Sequence, residues 1–346
     1  MDIFFDDSEF KRLYGCDNLT ADEWTTQGNP NRLAAELYVS LGALYLMTSL
    51  PVLFVIFQPK FFAMACYKLF FFSGLLDVFE VVIICVIAAV FQWKGFVFCS
   101  EPILSYNLGT IATGIWAASG LCCVLLGFQR LVALKKDWKL FEGAKIYFWL
   151  LLPLTIGLGF WGFVKPLLFT SHHYSFVQNP YFAETEEWNA EEQETDLYED
   201  MNFNVFNLTL AVVLTVQLIA LIGTLANTNS TKISGKEIAA SYEAVAKIFV
   251  KLIPAVLFVA VSFFKTNSEI VLAGQLAWQA AHGLSGIIHL ALSKRIRNDV
   301  FYVFGLQSIE MKHGGSTANL NQNDLEGVPA KKVWEPPAIS AVSMRI

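Results

Sequence analysis

Charged residues are scarce in this sequence, which excludes an ordinary soluble globular protein. Asp, Glu, Lys and Arg make up only 16% of the 346 residues, whereas a typical soluble domain has about 25%. Hydrophobic residues make up 55%, and the mean hydropathy is +0.49. Because a segment in lipid must satisfy its own backbone hydrogen bonds, the sequence predicts an all-α membrane protein.

Cysteine and basic charge are also in short supply, and each shortage excludes a class of function. The six cysteines include no CxxC pair and no Cys/His cluster with metal-ligand spacing, so we expect no metal and no cofactor. The net charge of −6, without a basic patch, argues against nucleic acid as a partner. No nucleophile–base arrangement indicates an enzyme. The N-terminal residues lack a signal-peptide pattern, so the first span is expected to direct membrane insertion.

The apolar residues form seven runs, each near the roughly 20 residues that cross a bilayer. The sequence therefore predicts a seven-transmembrane helix bundle over residues 37–292. Its spans are residues 37–57, 69–91, 103–134, 146–169, 203–226, 244–264 and 270–292. The third run exceeds the bilayer thickness, so that helix should tilt or project from the membrane. Pro51, Pro153 and Pro254 should kink their helices rather than end them.

The distribution of Lys and Arg predicts an extracellular N-terminus. In that orientation 13 basic residues, Lys247 among them, flank the cytoplasmic ends, against six outside. Residues 170–202 hold nine acids and no Lys or Arg, which suits an extracellular loop. Residues 1–36 become an extracellular segment with a glycosylation sequon at Asn18.

The C-terminal region divides into a short helix and a tail. Residues 293–304 place apolar side chains at 296, 300, 301 and 304 on one helical face, with Lys294, Arg295 and Arg297 available to lipid headgroups. This pattern predicts a cytoplasmic amphipathic helix along the inner leaflet. Residues 305–346 are rich in Ser, Asn, Gly and Pro, and predict a disordered cytoplasmic tail.

Two predicted spans carry polar residues that need a role. Asp77 and Glu80 share one face of the second span, and intramembrane acids usually face the bundle interior and serve function. The seventh span carries a polar stripe of Gln275, Gln279, His282 and His289. We expect the two faces to meet through water or a small cation. There are three alternatives to a functional network. The residues could form a purely structural hydrogen-bonded network, the acid could be protonated and neutral, or the residues could serve a proton-coupled small-solute transporter.

Two further groups of residues are assigned to the outer half of the bundle. A ligand pocket is expected between the spans, mostly apolar with a few polar groups. Its candidates are Asn107, Thr110, Trp116, Asn204, Asn207, Gln275 and Trp278. Cys16 and Cys99 are the two cysteines on the predicted outer side and should pair in an oxidising compartment, with two free thiols as the alternative.

Several fragments, in this order, resemble the nematode chemoreceptors of serpentine receptor class T, over residues 14 to 304. They are Tyr14-Gly15-Cys16, Trp24, Gly28-Asn29-Pro30, Ala65-Cys66-Tyr67-Lys68-Leu69, Gly74-Leu75-Leu76-Asp77, Phe98-Cys99-Ser100-Glu101-Pro102, Trp116, Cys122, Gln129-Arg130-Leu131, Leu140-Phe141-Glu142-Gly143 and Asn179-Pro180. The resemblance implies a chemosensory G-protein-coupled receptor that converts binding of an external small molecule into heterotrimeric G-protein activation. It further implies that the protein is located in the plasma membrane, including the ciliary membrane of sensory neurons. The ligand and the oligomeric state stay open.

The fragments depart from the better-known rhodopsin-like pattern at the expected switch. The resemblance implies that Arg130 meets the G protein, but Gln129 stands where an acid usually precedes the arginine. Without that ionic partner we expect raised basal activity. Residues 287–290 replace the usual Asn-Pro-x-x-Tyr motif, and the second outer loop contains no cysteine.

Overall fold

Seven long helices form the body of the protein. A computed structural model of the chain describes residues 7–17, 19–135, 140–179, 200–227, 235–263 and 268–305. The helices, called the first to the seventh span below, are Arg32–Ile56, Ala65–Lys94, Pro102–Leu134, Lys145–Phe163, Met201–Asn227, Gly235–Phe263 and Ser268–Leu292. The predicted glycosylation residue Asn18 and the predicted tail from residue 306 onward lie outside the described residues.

The seventh span differs from the other six in composition. Length and apolar character alone qualify the first six as membrane-crossing helices. The seventh has 25 residues, which is about 37 Å of helix at 1.5 Å per residue and enough to cross the hydrocarbon core. Its polar side chains Gln275, Gln279, His282 and His289 are all buried, so its polarity faces the bundle rather than lipid.

The third span is the central helix of the bundle. It has 33 residues, about 50 Å, and so exceeds the roughly 30 Å hydrocarbon core. It packs against the second, fourth, fifth and sixth spans. Pro51, Pro153 and Pro254 lie inside continuous helices, so they do not end the spans.

The second span contains a wider turn near its middle. It runs as α-helix over Ala65–Val81, as π-helix over Val82–Ile87, and again as α-helix over Ala88–Lys94. A π-segment widens the backbone spiral by one residue per turn and is frequent at functional sites.

The fourth span ends at Phe163 rather than at residue 169, and a β-hairpin follows it. Pro166 has no N–H and disfavours helix at Lys165, and Val164 is already extended, with φ −99° and ψ 141°. Strands β1, Leu168–Thr170, and β2, Ser175–Val177, pair antiparallel, with Phe169 opposite Phe176. The apolar run that predicted more helix is therefore strand, buried against the bundle. We call this side of the bundle the hairpin end.

The N-terminal segment packs onto the hairpin end. Helices Asp7–Tyr14 and Ala21–Gln27 are joined to the 3₁₀ turn Phe98–Ser100 by the disulfide Cys16–Cys99, as predicted. The chain then passes so close to the end of the second span that a Cβ on Gly28 would lie 1.6 Å from the Gly95 carbonyl oxygen. Only glycine permits this approach.

The opposite side, called the Arg130 end below, carries two short helices. Pro59–Phe62 connects the first two spans, and Lys294–Val303 follows the seventh. Ile296 and Val300 of the latter helix are buried, and they are two of the four residues on its predicted apolar face. Its basic residues also bind protein, because the Arg297 Nη1 donates to the carbonyls of Leu290 and Ala291 at 2.9 and 3.1 Å.

Candidate functional site

Asp77 is bonded to three other spans in the middle of the bundle. Its Oδ2 lies 3.2 Å from Lys247 Nζ of the sixth span, and its Oδ1 accepts from Ser119 of the third at 3.2 Å. His282 Nδ1 of the seventh span lies 3.0 Å from the same Oδ1. Lys247 also donates to Ser73 at 3.1 Å. These five residues, all buried, are called the Asp77 cluster.

A second buried lysine extends the cluster toward the hairpin end. Lys251 Nζ lies 3.1 Å from His282 Nε2 and 4.8 Å from the centre of the Trp116 ring. An ammonium group only donates, so Nε2 accepts and Nδ1 carries the hydrogen that His282 donates to Asp77. His282 is therefore placed as a neutral bridge between a carboxylate and an ammonium.

His289 does not join the Asp77 cluster. Its Nδ1 lies 2.7 Å from Glu243 Oε2 of the sixth span, and its ring packs edge-on against Phe70 with centroids 4.6 Å apart. The predicted single network of two acids and two histidines is thus divided between two sites. Glu243 and Lys247 are one helical turn apart on the sixth span, so both sites contact the same helix.

Glu80 differs from the other buried charged residues of the site in its hydrogen bonding. Its side chain is fully buried, and neither carboxylate oxygen has a hydrogen-bond partner within the described part of the chain. Lys251 and Asp77 act on it electrostatically, and the Trp278 indole approaches it without the geometry of a direct hydrogen bond. The Glu80 carboxyl group therefore lies near a lysine, an aspartate and an indole N–H, without a direct ion pair among the described residues.

The π-segment of the second span accepts hydrogen bonds from two glutamines of the seventh span. The Ile84 carbonyl, inside the π-segment, accepts from both Gln275 Nε2 at 3.1 Å and Gln279 Nε2 at 2.8 Å. The Gln275 oxygen accepts from Ser175 of the hairpin at 3.3 Å. The Gln279 oxygen has no partner among the described residues. Both amide oxygens are thus aimed away from the second-span backbone.

Aromatic rings surround this polar group on the side of the hairpin. Trp278 packs against Phe176, Phe258 and Trp116 with centroids 5.8, 5.6 and 6.2 Å apart. The Trp116 indole donates to Asn207 of the fifth span at 2.9 Å.

The remaining predicted pocket residues are less closely associated. Asn207 donates to Phe203 O, Asn107 to Ile103 O and Thr110 to Asn107 O, all within their own helices. Asn204 is buried on the fifth span. Asn107 and Thr110 therefore satisfy backbone carbonyls of the third span. Trp116 packs against Trp278, which lies near Glu80, and Gln275 bonds to Ile84 and to the hairpin.

The turn of the hairpin contains a histidine whose charged form is disfavoured by burial. Burial lowers the pKa of the His172 imidazole, which favours its neutral form. The Tyr38 hydroxyl of the first span donates to the Tyr174 carbonyl in the same turn. The hairpin is therefore held to the bundle by hydrogen bonds rather than by ion pairs at these positions.

Arg130 lies against a cavity at the other end of the bundle. The cavity has a volume of about 410 Å³, and its lining includes Gln129, Lys68, Glu142, Glu237 and Arg295. The Gln129 Oε1 accepts from Arg130 Nε at 2.7 Å, so a neutral amide occupies the position of the missing acid.

The sequence analysis did not assign three charged residues of this site to the bundle interior. Lys247, which the charge count placed at the cytoplasmic surface, is only 6% exposed, and Lys251 and Glu243 are buried as well. Without Lys247, 12 basic residues remain at the predicted cytoplasmic ends of the spans, which is still twice the six basic residues outside. The signal was present, since Lys247 and Lys251 lie four residues apart inside an apolar run, and such residues face the bundle interior.

The fold and the buried site define an all-α, multi-pass membrane protein with the architecture of a seven-transmembrane receptor. The chain belongs to the family of serpentine type 7TM GPCR chemoreceptors named Srt, whose model matches residues 3–313. It is also similar to serpentine receptor class T-55 of Caenorhabditis elegans, with 23% identity over 300 residues that cover 84% of this chain and 80% of the relative.

Proposed function

We propose that this protein is a chemosensory receptor that converts the binding of an external small molecule into activation of a heterotrimeric G protein. Membership of the chemoreceptor family supports the receptor class. The observation that carries the proposal is the Asp77 cluster, because it joins the second, third, sixth and seventh spans between the hairpin end and the Arg130 end.

In this proposal the hairpin end faces outward and the Arg130 end faces the cytosol, in the plasma membrane or the ciliary membrane of a sensory neuron. The excess of Lys and Arg at the Arg130 end supports that orientation. A ligand beneath the hairpin would change the packing of Trp278 and Gln275 on the seventh span. His282 on the same span would transmit that change to Asp77 and Lys247.

The cavity at Arg130 is the proposed site of G-protein contact. The sixth span lines this cavity at Glu237 and Ala240, so in this proposal the entry of a G-protein helix displaces the sixth span outward. The sixth span is held at Lys247 and Glu243 by buried partners. Release of these contacts is therefore the proposed activating step.

The test is nucleotide exchange on purified heterotrimeric G proteins with the receptor in lipid nanodiscs. We expect basal or ligand-stimulated exchange that falls at least tenfold in Arg130→Ala. Lys94→Ala, which removes a cation at the hairpin end, is the matched control and should leave exchange unchanged. Exchange that survives in Arg130→Ala would refute the role of Arg130. Solute uptake without exchange would instead favour the transporter alternative.

A further inference from the structure

We propose that the cavity at the Arg130 end binds a phosphate monoester group, carried by a phosphorylated small molecule or by a lipid headgroup of the inner leaflet. The inference deepens the proposed receptor function and rests on it for the cytosolic position of this end. A phosphate group in the cavity would occupy the proposed G-protein contact and so regulate it. The cavity volume of about 410 Å³ lies within the range of about 300–1,000 Å³ that is typical of small-molecule sites.

Arg130 is a buried cation without an ionic partner in the described part of the chain. Its side chain is only 1% exposed and lines the cavity. The Nε atom donates to Gln129, and the two terminal nitrogens have neither an acceptor nor a carboxylate partner among the described residues. Four of the five N–H donors of a guanidinium group are on those two nitrogens. Because buried charges are normally paired, this guanidinium group indicates an anion in the cavity.

A second arginine approaches the same part of the cavity. The charges of Arg130 and Arg295 both act on the Tyr67 hydroxyl, so the two guanidinium groups lie around this hydroxyl. Tyr67 and Arg295 also line the cavity. The Arg295 Cζ atom is 4.4 Å from the centre of the Phe61 ring, a contact that positions the guanidinium group without a hydrogen-bond acceptor. Two guanidinium groups and a hydroxyl, all able to donate to an anion, therefore surround one region.

The start of the second span adds backbone donors to the cavity. Met64, Ala65 and Cys66 line it, and the helix begins at Ala65. The N-cap residue Met64 makes no side-chain hydrogen bond to the first turn. The first N–H groups of a helix lack partners within the helix and carry partial positive charge, which is why phosphate groups bind at such ends. The helix start thus favours the same kind of ligand as Arg130 does.

The acids near the cavity do not pair with Arg130. Glu142 is exposed and Glu237 is half-buried, so water reaches both at the edge of the cavity. Glu243 lies behind the lining residues, and its Oε2 is 2.7 Å from His289 Nδ1. Among the described charged residues that line the cavity, Arg130 alone is buried. The buried wall of the cavity is therefore positive.

The number of donors favours a phosphate monoester over other anions. A monoester has three terminal oxygens and a charge of about −1.5 to −2 at pH 7. It can therefore accept from two guanidinium groups and from a helix start at once, and arginine binds phosphate through two parallel N–H···O bonds. A carboxylate or a phosphodiester has two free oxygens and a single charge, so it would leave part of this donor set unpaired.

The experiment measures thermal unfolding of the full-length receptor in phosphatidylcholine nanodiscs, without G protein. In the lipid arm the nanodiscs contain phosphatidylinositol 4-phosphate, with phosphatidylinositol as the counterpart that lacks the monoester. In the soluble arm glucose 6-phosphate is added, with glucuronate as the counterpart that has a carboxylate on the same sugar skeleton. We expect a saturable rise in Tm with the monoester in at least one arm and no such rise with its counterpart. The arm that responds identifies the source of the phosphate group.

Arg130→Gln removes the buried charge and keeps a polar side chain. Loss of a hydrogen bond between charged groups should weaken the apparent Kd for the monoester about tenfold or more. Arg32→Gln makes the same change at the hairpin end, where Arg32 lies over the Trp93 ring, and should bind like the wild type. Arg295→Gln, at a half-buried position, should weaken binding in the same direction and tests the site even if Arg130→Gln does not fold.

Equal stabilisation by phosphatidylinositol or glucuronate, or no saturable stabilisation by either monoester, would overturn the proposal. An equal loss of binding in Arg32→Gln would overturn it as well, because it would show attraction to the overall charge rather than to this cavity. The assay contains no G protein, so the two proposals fail separately. Nucleotide exchange without phosphate binding rejects only this inference, and phosphate binding without exchange rejects only the G-protein function.

Discussion

At the scale of single residues, the pair Gln129–Arg130 shows how a neutral side chain holds a buried arginine. The amide oxygen holds Arg130 through one hydrogen bond of 2.7 Å. A carboxylate in that position would add the stronger, charge-assisted bond that pairs of opposite charge form. Arg130 in this chain is therefore positioned next to its cavity but restrained less than an ion pair would restrain it.

Gln129→Glu should lower basal G-protein activation because it turns this hydrogen bond into an ion pair of almost the same shape. An additional 1 kcal/mol of restraint, roughly the expected size, corresponds to about a fivefold decrease. Basal nucleotide exchange in nanodiscs measures the effect. Gln27→Glu makes the same chemical change at an exposed position and should alter nothing. An unchanged basal rate in Gln129→Glu would contradict the restraint.

At the scale of helices, the contact between the first and seventh spans depends on the absence of side chains. A Cβ on Gly286 would lie 2.6 Å from the backbone nitrogen of Ser49 and 2.7 Å from its Cα. The neighbouring atoms belong to the helix backbone, so they cannot move aside without separating the two spans. Close approach at small residues is a common way for membrane helices to pack.

Gly286→Ala should therefore destabilise the bundle by about 1–3 kcal/mol, the usual cost of overpacking a close contact. Gly274→Ala is the matched control on the same helix, because a Cβ there meets no atom within 4 Å. Since alanine favours helix over glycine, that control should be neutral or slightly stabilising. Thermal unfolding in detergent micelles measures both variants. Equal stability of the two would show that the spans are not in this close contact.

At the scale of the whole molecule, buried polar and ionic contacts hold the sixth span to its neighbours. Lys247 meets Asp77 of the second span, Lys251 meets His282 of the seventh, and Glu243 meets His289. A bundle held by such contacts has discrete arrangements rather than continuous flexibility, because a buried charge without its partner is costly. In the proposed receptor function, these contacts restrain the displacement of the sixth span.

A double-mutant cycle on Asp77 and Lys247 tests this coupling. Asp77→Asn or Lys247→Met alone should cost about 3–5 kcal/mol, since each leaves one buried charge unpaired. The double variant should lose less than the sum, because neither charge remains. Lys60→Met breaks the partly exposed ion pair Lys60–Asp299 and should cost under about 1 kcal/mol. Additive losses in the cycle, measured by thermal unfolding, would contradict a buried ion pair.

The sequence by itself determined the class of the protein and the number of its apolar spans, because crossing a bilayer requires a continuous apolar run that any short window shows. It also predicted the Cys16–Cys99 bridge, and it pointed to Asp77 and the polar stripe of the seventh span. The tertiary structure decided which of these groups meet. His282 joins Asp77 while His289 pairs with Glu243.

The inward position of Lys247 and Lys251 was also decided by the tertiary structure, as was the hairpin that follows the fourth span. The physical reason is that a hydropathy run records how apolar a segment is, but not how its helix is rotated or which neighbour it faces. Two lysines four residues apart inside an apolar run favour an inward orientation, but the run does not show which buried group they meet. Only the packing of four helices around Asp77 decides that.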